Sequence, residues 1–213
     1  VLLASKEEDL QPLDRAFCHE LVMGVLRRQL WLDRLIEYYA NRKVAELDVA
    51  VRIVLRLGLY QLRFLSRVPA SAAVNESVNL VHSSRLRSAA ALVNAVLRRA
   101  TREPEVDPTS SINDPVERLA VATSHPAWLI ERWLNAFGPD DAGTFARANN
   151  EAAPVAFRVV NERAHEADVC ARLRESGAEL VTSKVVDHAW RVTGARSLLT
   201  DLVSAGHIYL QDE

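Results

Sequence analysis

LDVAVRIVLRLGLYQLRFL, residues 47–65, decides the fold. The run is too long for an ordinary strand, which spans about 3–10 residues, and it reads as one central helix. Val68-Pro69 ends it, because the residue before a proline is pushed out of the helical region. Four arginines in and after this run, Arg52, Arg56, Arg63 and Arg67, are spaced 4, 7 and 4. At about 100° per residue they fall at roughly 0°, 40°, 20° and 60° on a helical wheel, one narrow stripe. The other positions are almost all apolar, from Ile53 to Phe64, so the helix is expected to be buried nearly all round. A single basic seam would then reach water or a partner. Gly58 costs about 1 kcal/mol relative to alanine in a helix, and close packing of a neighbouring helix would explain it.

Helical text extends on both sides of this run. Apolar residues Leu13, Phe17, Leu21, Val25 and Leu32 recur at helical spacings, a second helix continues to about Tyr39, and Asn41-Arg42-Lys43 reads as a break. After Pro69 a helix runs to about His82 with Ser71 as its expected cap, followed by a loop at 83–85 and a helix at 89–102. Residues 1–103 therefore read as an all-helical domain. Residues 104–113, rich in Pro, Ser, Asp and Thr, read as a linker. Residues 114–150 read as a helical segment, with helices at about 115–122, 126–137 and 139–149. In 151–213 the period changes, and strands are expected at 155–160, 179–183, 189–192 and 207–211. Helices at 164–176 and 196–204 alternate with them. This strand, helix, strand, strand, helix, strand order is the βαββαβ pattern of ferredoxin-like modules. The fold class is thus mainly α, a helical bundle followed by helices and a small α+β module.

A chain of 213 residues, 49% hydrophobic and 25% charged, has the composition of a globular protein with one large or two small domains. Cys18 and Cys170 form no CxxC pair, so neither a disulfide framework nor a zinc site is suggested, which suits a reducing cytoplasm. No run approaches the roughly 18 apolar residues of a membrane span, and no signal peptide is visible. A cytoplasmic location without a membrane partner is the expectation. The formal net charge of −2 hides an asymmetry. Residues 1–103 carry 16 basic and 11 acidic side chains, residues 104–213 carry 10 and 17, and residues 52–103 hold nine arginines against Glu76 and Glu103. A basic block of this kind points to a polyanionic partner.

The familiar catalytic signatures are missing. There is no glycine-rich phosphate loop, no HExxH, no GxSxG and no EF-hand loop, and the six histidines are scattered. His125, before a helix, reads as a capping or packing residue, and His19 as structural or surface. Cys18 and Cys170 read as small buried hydrophobes. The positive feature is basic. The stripe Arg52, Arg56, Arg63 and Arg67 has no acid within it, and Arg98, Arg99 and Arg102 form a second cluster. Guanidinium groups pair bidentately with phosphate, so contact with nucleic acid is one expectation. Pairing with acids of the C-terminal half and plain solvation are the others. Asn75 and Asn94, set in apolar helical text, read as buried structural amides that must find partners.

The same segments carry a family resemblance. Arg56-Leu57-Gly58-Leu59-Tyr60-Gln61-Leu62, Pro69, Val74-Asn75-Glu76-Ser77-Val78 and Val93-Asn94-Ala95-Val96-Leu97-Arg98-Arg99 resemble the NusB fold family of RNA-binding helical proteins. Asp14-Arg15 and Leu21-Val22 through Leu26 fit its first helix. Beyond Arg102, Ser124-His125-Pro126, Trp128-Leu129, Ala148-Asn149-Asn150, Pro154 and Gln211-Asp212-Glu213 resemble the N-terminal region of the RsmB (Sun/Fmu) family of 16S rRNA cytosine-C5 methyltransferases.

That resemblance implies an RNA-binding N-terminal portion of an S-adenosylmethionine-dependent enzyme, positioning small-subunit rRNA for a catalytic domain that follows the Gln-Asp-Glu run. The catalytic domain would supply the cofactor site and the cysteine nucleophile. Neither Cys18 nor Cys170 follows a proline as the family's motif cysteine does, so no catalytic, cofactor-binding or metal-binding residue is assigned, and whether this chain is itself an enzyme is left open. The expected RNA-binding residues are Arg52, Arg56, Arg63, Arg67, Arg98, Arg99 and Arg102. The expected partners are rRNA, the protein's own catalytic domain and, through the helical domain, a second copy. A stand-alone NusB-type factor in transcription antitermination is the alternative. A metabolite sensor built on the βαββαβ module has no ligand fingerprint in residues 155–213 to support it.

Overall fold

A computed structural model describes residues 10–84, 86–103 and 105–211. Residues 1–9 of the expected first domain, Arg85 of the expected loop, Pro104 of the expected linker, and Asp212 and Glu213 lie outside the described residues. Among the described residues five α-helices come first: α1 (Pro12–Arg27), α2 (Gln29–Ala40), α3 (Val49–Phe64), α4 (Ala70–Ser83) and α5 (Ala90–Arg102). Helix α3, the run that opened the sequence analysis, starts where Asp48 Oδ1 accepts the Ala50 N–H at 2.8 Å. It ends at Phe64, so Arg67 lies beyond the helix, in the turn before Pro69, and does not belong to the stripe. The chain has already left helical geometry at Leu65, at φ −115°, ψ 83°.

Helix α3 is central, but not buried all round. Val51, Val54, Leu55 and Leu59 enter a core shared with Leu32, Leu35 and Ile36 of α2 and Val93, Val96 and Leu97 of α5. On the other side Val49 and Ile53 are 60% and 47% exposed. The expected close approach at Gly58 is present. A Cβ there would lie 2.7 Å from Leu97 Cδ1 and 2.8 Å from Ser77 Oγ, so α4 and α5 both press onto α3 at this point. Gly24 of α1 does the same for Tyr60, whose ring would meet a Cβ at 2.0–2.6 Å. Ser71 is not a cap. Pro69 is the N-cap of α4 without a side-chain hydrogen bond, and Ser71 lies within the first turn.

Three further helices follow: α6 (Pro115–Thr123), α7 (Ala127–Phe137) and α8 (Pro139–Ala148). Asp114 caps α6 through the Glu117 N–H at 3.1 Å, and Pro115 takes the first turn. Residues 107–112 form a packed turn in which Asp107 Oδ1 accepts both the N–H and the hydroxyl of Thr109, at 2.9 and 2.8 Å. Thr109 and Ile112 are buried. Helix α6 packs on α2. The N–H of Trp31, one of the orphan donors in the first turn of α2, reaches Ser124 Oγ at 3.2 Å, and Arg34 pairs with Glu117. A small core of Ala120, Ile130 and Ala146 holds the three helices together.

The chain divides into two compact units, one ending at Asn150 and the other beginning at Glu151. The second contains β1 (Val155–Val159), α9 (Glu166–Glu175), β2 (Glu179–Thr182), β3 (Ala189–Thr193), α10 (Arg196–Ser204) and β4 (Ile208–Leu210). The strand order is β2-β3-β1-β4, with every neighbouring pair antiparallel. Strand β3 thus inserts between the parallel strands β1 and β2, which is the split βαβ arrangement expected from the element order. Phe157, Val192 and Ile208 face Val169, Leu173, Leu199 and Leu202 of the two helices. Gly177, directly after α9, turns at φ +84°, a conformation that favours glycine.

Candidate nucleic-acid interface

The seven arginines singled out by spacing have different fates. Arg56 is tied down: its Nε and Nη2 donate to Asp33 Oδ1 and Oδ2 at 2.7 and 2.8 Å, a bidentate pair with side chains only 15% and 16% exposed. Asp33 comes from α2, an acid of the N-terminal half that inspection of one helix cannot supply. Arg63 Nη2 donates to the Tyr39 hydroxyl at 2.6 Å and to the Ala100 carbonyl at 3.2 Å, bracing α3 against α2 and α5. The Nε atoms of Arg52 and Arg63 are buried without a hydrogen bond. Arg99 donates to Glu103 Oε1 at 2.5 Å and to the carbonyls of Tyr38 and Tyr39 at 3.1 Å, satisfying the C-terminal end of α2. The hydrogen bond to Glu103 holds its guanidinium still further above its usual range.

Arg67, Arg98 and Arg102 are the exposed members of the set. Arg98 is also oriented, because its Nε donates to Asn94 Oδ1 at 2.9 Å, one helical turn back. It borders a hollow of about 320 Å³ between the start of α4 and the end of α5, lined by Ala70, Ser71, Val74, Asn75, Arg98 and Thr101. Asn75 is exposed here and Asn94 half-buried, so neither is the buried core amide expected from its apolar neighbours. The apolar residues beside them, Val74 and Val93, turn to the core while the amides turn out. Ala70 and Ser71, the first residues of α4, line this hollow, and the N-cap Pro69 makes no side-chain hydrogen bond to their helix. The positive end of the helix dipole and the Arg98 guanidinium therefore act on the same space. Ser71 was expected as a helix cap rather than as part of a site, and Thr101 was not singled out by sequence. The i, i+4 pairs Ser71–Asn75 and Asn94–Arg98 were the signal available.

Other flagged residues serve the fold. His125 stacks edge-on against Trp133 at 5.0 Å, its Nδ1 is buried without a hydrogen-bond partner, and burial lowers its pKa below the usual 6.5. Cys170, on α9, is buried in the core between the helices and the sheet, and that burial pushes its thiol up. Cys18 is half-buried and His19 is exposed. No helix among the described residues is long and apolar enough to cross a membrane, and no group of His, Cys, Asp and Glu among them could hold a metal.

The NusB family matches residues 2–102, and the RsmF/B-like methyltransferase ferredoxin-like domain matches residues 125–198. A Bacillus subtilis protein named probable ribosomal RNA small subunit methyltransferase B is 31% identical over 210 residues, covering 98% of this chain and 46% of the relative. The Pseudomonas putida ribosomal RNA small subunit methyltransferase B is 37% identical over 176 residues, covering 82% and 39%. The chain thus spans less than half the length of these relatives. The crystal structure of PH0851 shares the fold with a TM-score of 0.72 at 21% identity, over 98% of this chain and 47% of the other.

Proposed function

We propose that this chain, which is similar to the NusB family over residues 2–102 and to the RsmF/B-like ferredoxin-like domain over residues 125–198, is an RNA-binding portion of a small-subunit rRNA methyltransferase of type B. It holds small-subunit rRNA for cytosine methylation by a catalytic domain outside these residues, in a cytoplasmic protein. The observation that carries this reading is the hollow between α4 and α5. There an oriented, exposed guanidinium and an uncapped helix N-terminus converge, and both favour a phosphate. Arg67 and Arg102 add exposed positive charge on the same polypeptide stretch. RNA is read largely through shape and backbone, which suits charge spread over a helical surface better than a deep specific pocket.

The described residues do not fit S-adenosylmethionine. Dinucleotide-type sites need a parallel sheet with a glycine-rich turn from strand to helix. Here the neighbouring strands are antiparallel and the glycines of the second unit, Gly177, Gly194 and Gly206, stand singly in turns. Methyl transfer is therefore assigned to no residue of this chain. The antitermination factor of NusB type is the weaker reading, because the match at residues 125–198 is to a methyltransferase-associated domain.

The test is titration of the 213-residue chain with small-subunit rRNA fragments at several salt concentrations. Log affinity is expected to fall linearly with log salt. Arg98→Gln with Arg102→Gln is expected to reduce that slope by about one for every phosphate the variant no longer holds. An affinity for RNA unchanged by salt and by both substitutions would overturn the reading.

A further inference from the structure

We propose that an apolar notch between the starts of α1 and α3 is a docking site for a segment of this same chain, Val1-Leu2-Leu3, which lies ahead of the described residues. The notch uses none of the residues assigned above to RNA.

Helices α1 and α3 lie side by side and run in the same direction. Gly24 of α1 meets the Tyr60 ring of α3, and Arg28, the residue that ends α1, lies 4.2 Å over the Phe64 ring. Each α3 residue stands 36 positions after its partner on α1. Carried toward the helix starts, the same offset matches Leu21 with Leu57, Phe17 with Ile53 and Leu13 with Val49. Positions 13, 17, 21 and 24 and positions 49, 53, 57 and 60 share the spacing 4, 4 and 3, which keeps each set on one helical face.

Burial falls off along these matched rows. Gly24 and Tyr60 are buried, and Leu21 and Leu57 are half-buried. Phe17 and Ile53 are 42% and 47% exposed, and Leu13 and Val49 are 85% and 60% exposed. The two rows are therefore covered at their C-terminal ends and bare at their N-terminal ends. An apolar face that continues a packed row without its cover calls for a further apolar element.

The size of the notch selects among occupants. Four partly exposed side chains offer roughly a few hundred Å². A stable dimer buries about 800 Å² on each partner, so a second copy is poorly matched to this patch alone. A few aliphatic side chains are well matched.

The chain itself brings such side chains to the bare end. Leu10, 37% exposed, leads into Pro12 in the first turn of α1, directly before Leu13. Ahead of it stands VLLASKEED, with its large apolar residues gathered at the front and Lys6, Glu7, Glu8 and Asp9 between them and the helix. Leu3 precedes Leu10 by seven residues, and Phe17 follows it by seven. Seven residues of extended chain reach roughly 23 Å, whereas seven residues of helix advance only about 10 Å. The segment is thus long enough to turn back and lay Leu2 and Leu3 over Phe17 and Ile53, with its charged residues left to the turn.

The experiment is urea unfolding of the 213-residue chain, of Leu2→Ala with Leu3→Ala, of Phe17→Ala, and of all three substitutions together, with sedimentation of each. The Leu2/Leu3 pair is expected to raise the unfolding constant about tenfold, and Phe17→Ala to do the same. The triple variant is expected to stay near tenfold, because both changes remove the same contact. His19→Ala, exposed on α1, is expected to change neither value. A hundredfold effect in the triple variant, or none from the Leu2/Leu3 pair, would overturn the proposal. A chain that sediments as a dimer and becomes a monomer with Phe17→Ala would overturn it in favour of a second copy.

Discussion

The seam on α3 and the hollow between α4 and α5 are built from the same residue type, and they do opposite work. In the seam, Arg56 and Arg63 are absorbed by Asp33, Tyr39 and the Ala100 carbonyl, so their charge is used to join helices. In the hollow, Arg98 is positioned by Asn94 but left open. An arginine's role is set by what the neighbouring helix offers it, an acid and a phenol in one place and an amide in the other. Periodicity along its own helix cannot distinguish the two.

That contrast can be broken most severely at Asp33. Asp33→Ala strands the Arg56 guanidinium in a mostly buried setting, and a loss of about 3 kcal/mol in urea unfolding is expected, with RNA affinity of the folded protein unchanged. Arg63→Met leaves the Tyr39 hydroxyl and the Ala100 carbonyl without their donor. A loss of about 1–2 kcal/mol is expected by the same measurement, again without a binding effect. Arg98→Gln reverses the pattern: stability should stay within about 0.5 kcal/mol while RNA binding weakens. If Asp33→Ala weakened RNA binding more than stability, the division between seam and hollow would be wrong.

The smallest effect is on the pH axis. Burial lowers the His125 pKa in the folded chain below its unfolded value of 6.5, so the unfolded chain takes up its proton first as pH falls. The stability present above pH 6.5 is therefore lost as pH falls through the depressed folded value, and His125→Phe should flatten that part of a melting-temperature profile.

Much of the fold was legible because its signals are local. The period of residues 47–65, the proline at 69 and the change of period after residue 150 each report on their own neighbourhood, and the four strands lie within a residue or two of their expected places. The site was less legible because its determinants are not local. Asp33 is 23 residues from Arg56, and the hollow is formed by residues 70–75 and 98–101 meeting across two helices. Asn75 and Asn94 were misread for a related reason. An apolar neighbourhood in sequence fixes which residues flank an amide, not which side of the helix it faces. The turn at 107–112 looks like a bare connector in composition because Asp and Thr satisfy backbone and hydroxyl donors there without a regular element.

The packing at Gly58 bears on how anything enters that hollow. Leu97 of α5 and Ser77 of α4 both press on the spot where a side chain would otherwise stand. The two helices that frame the hollow are therefore clamped to a common anvil, and neither can roll without colliding with α3. A ligand arriving between them meets walls already at their final spacing and spends little of its binding energy on ordering the protein. Recognition at this place would be lock-like, with a geometry set by the side chain that Gly58 lacks.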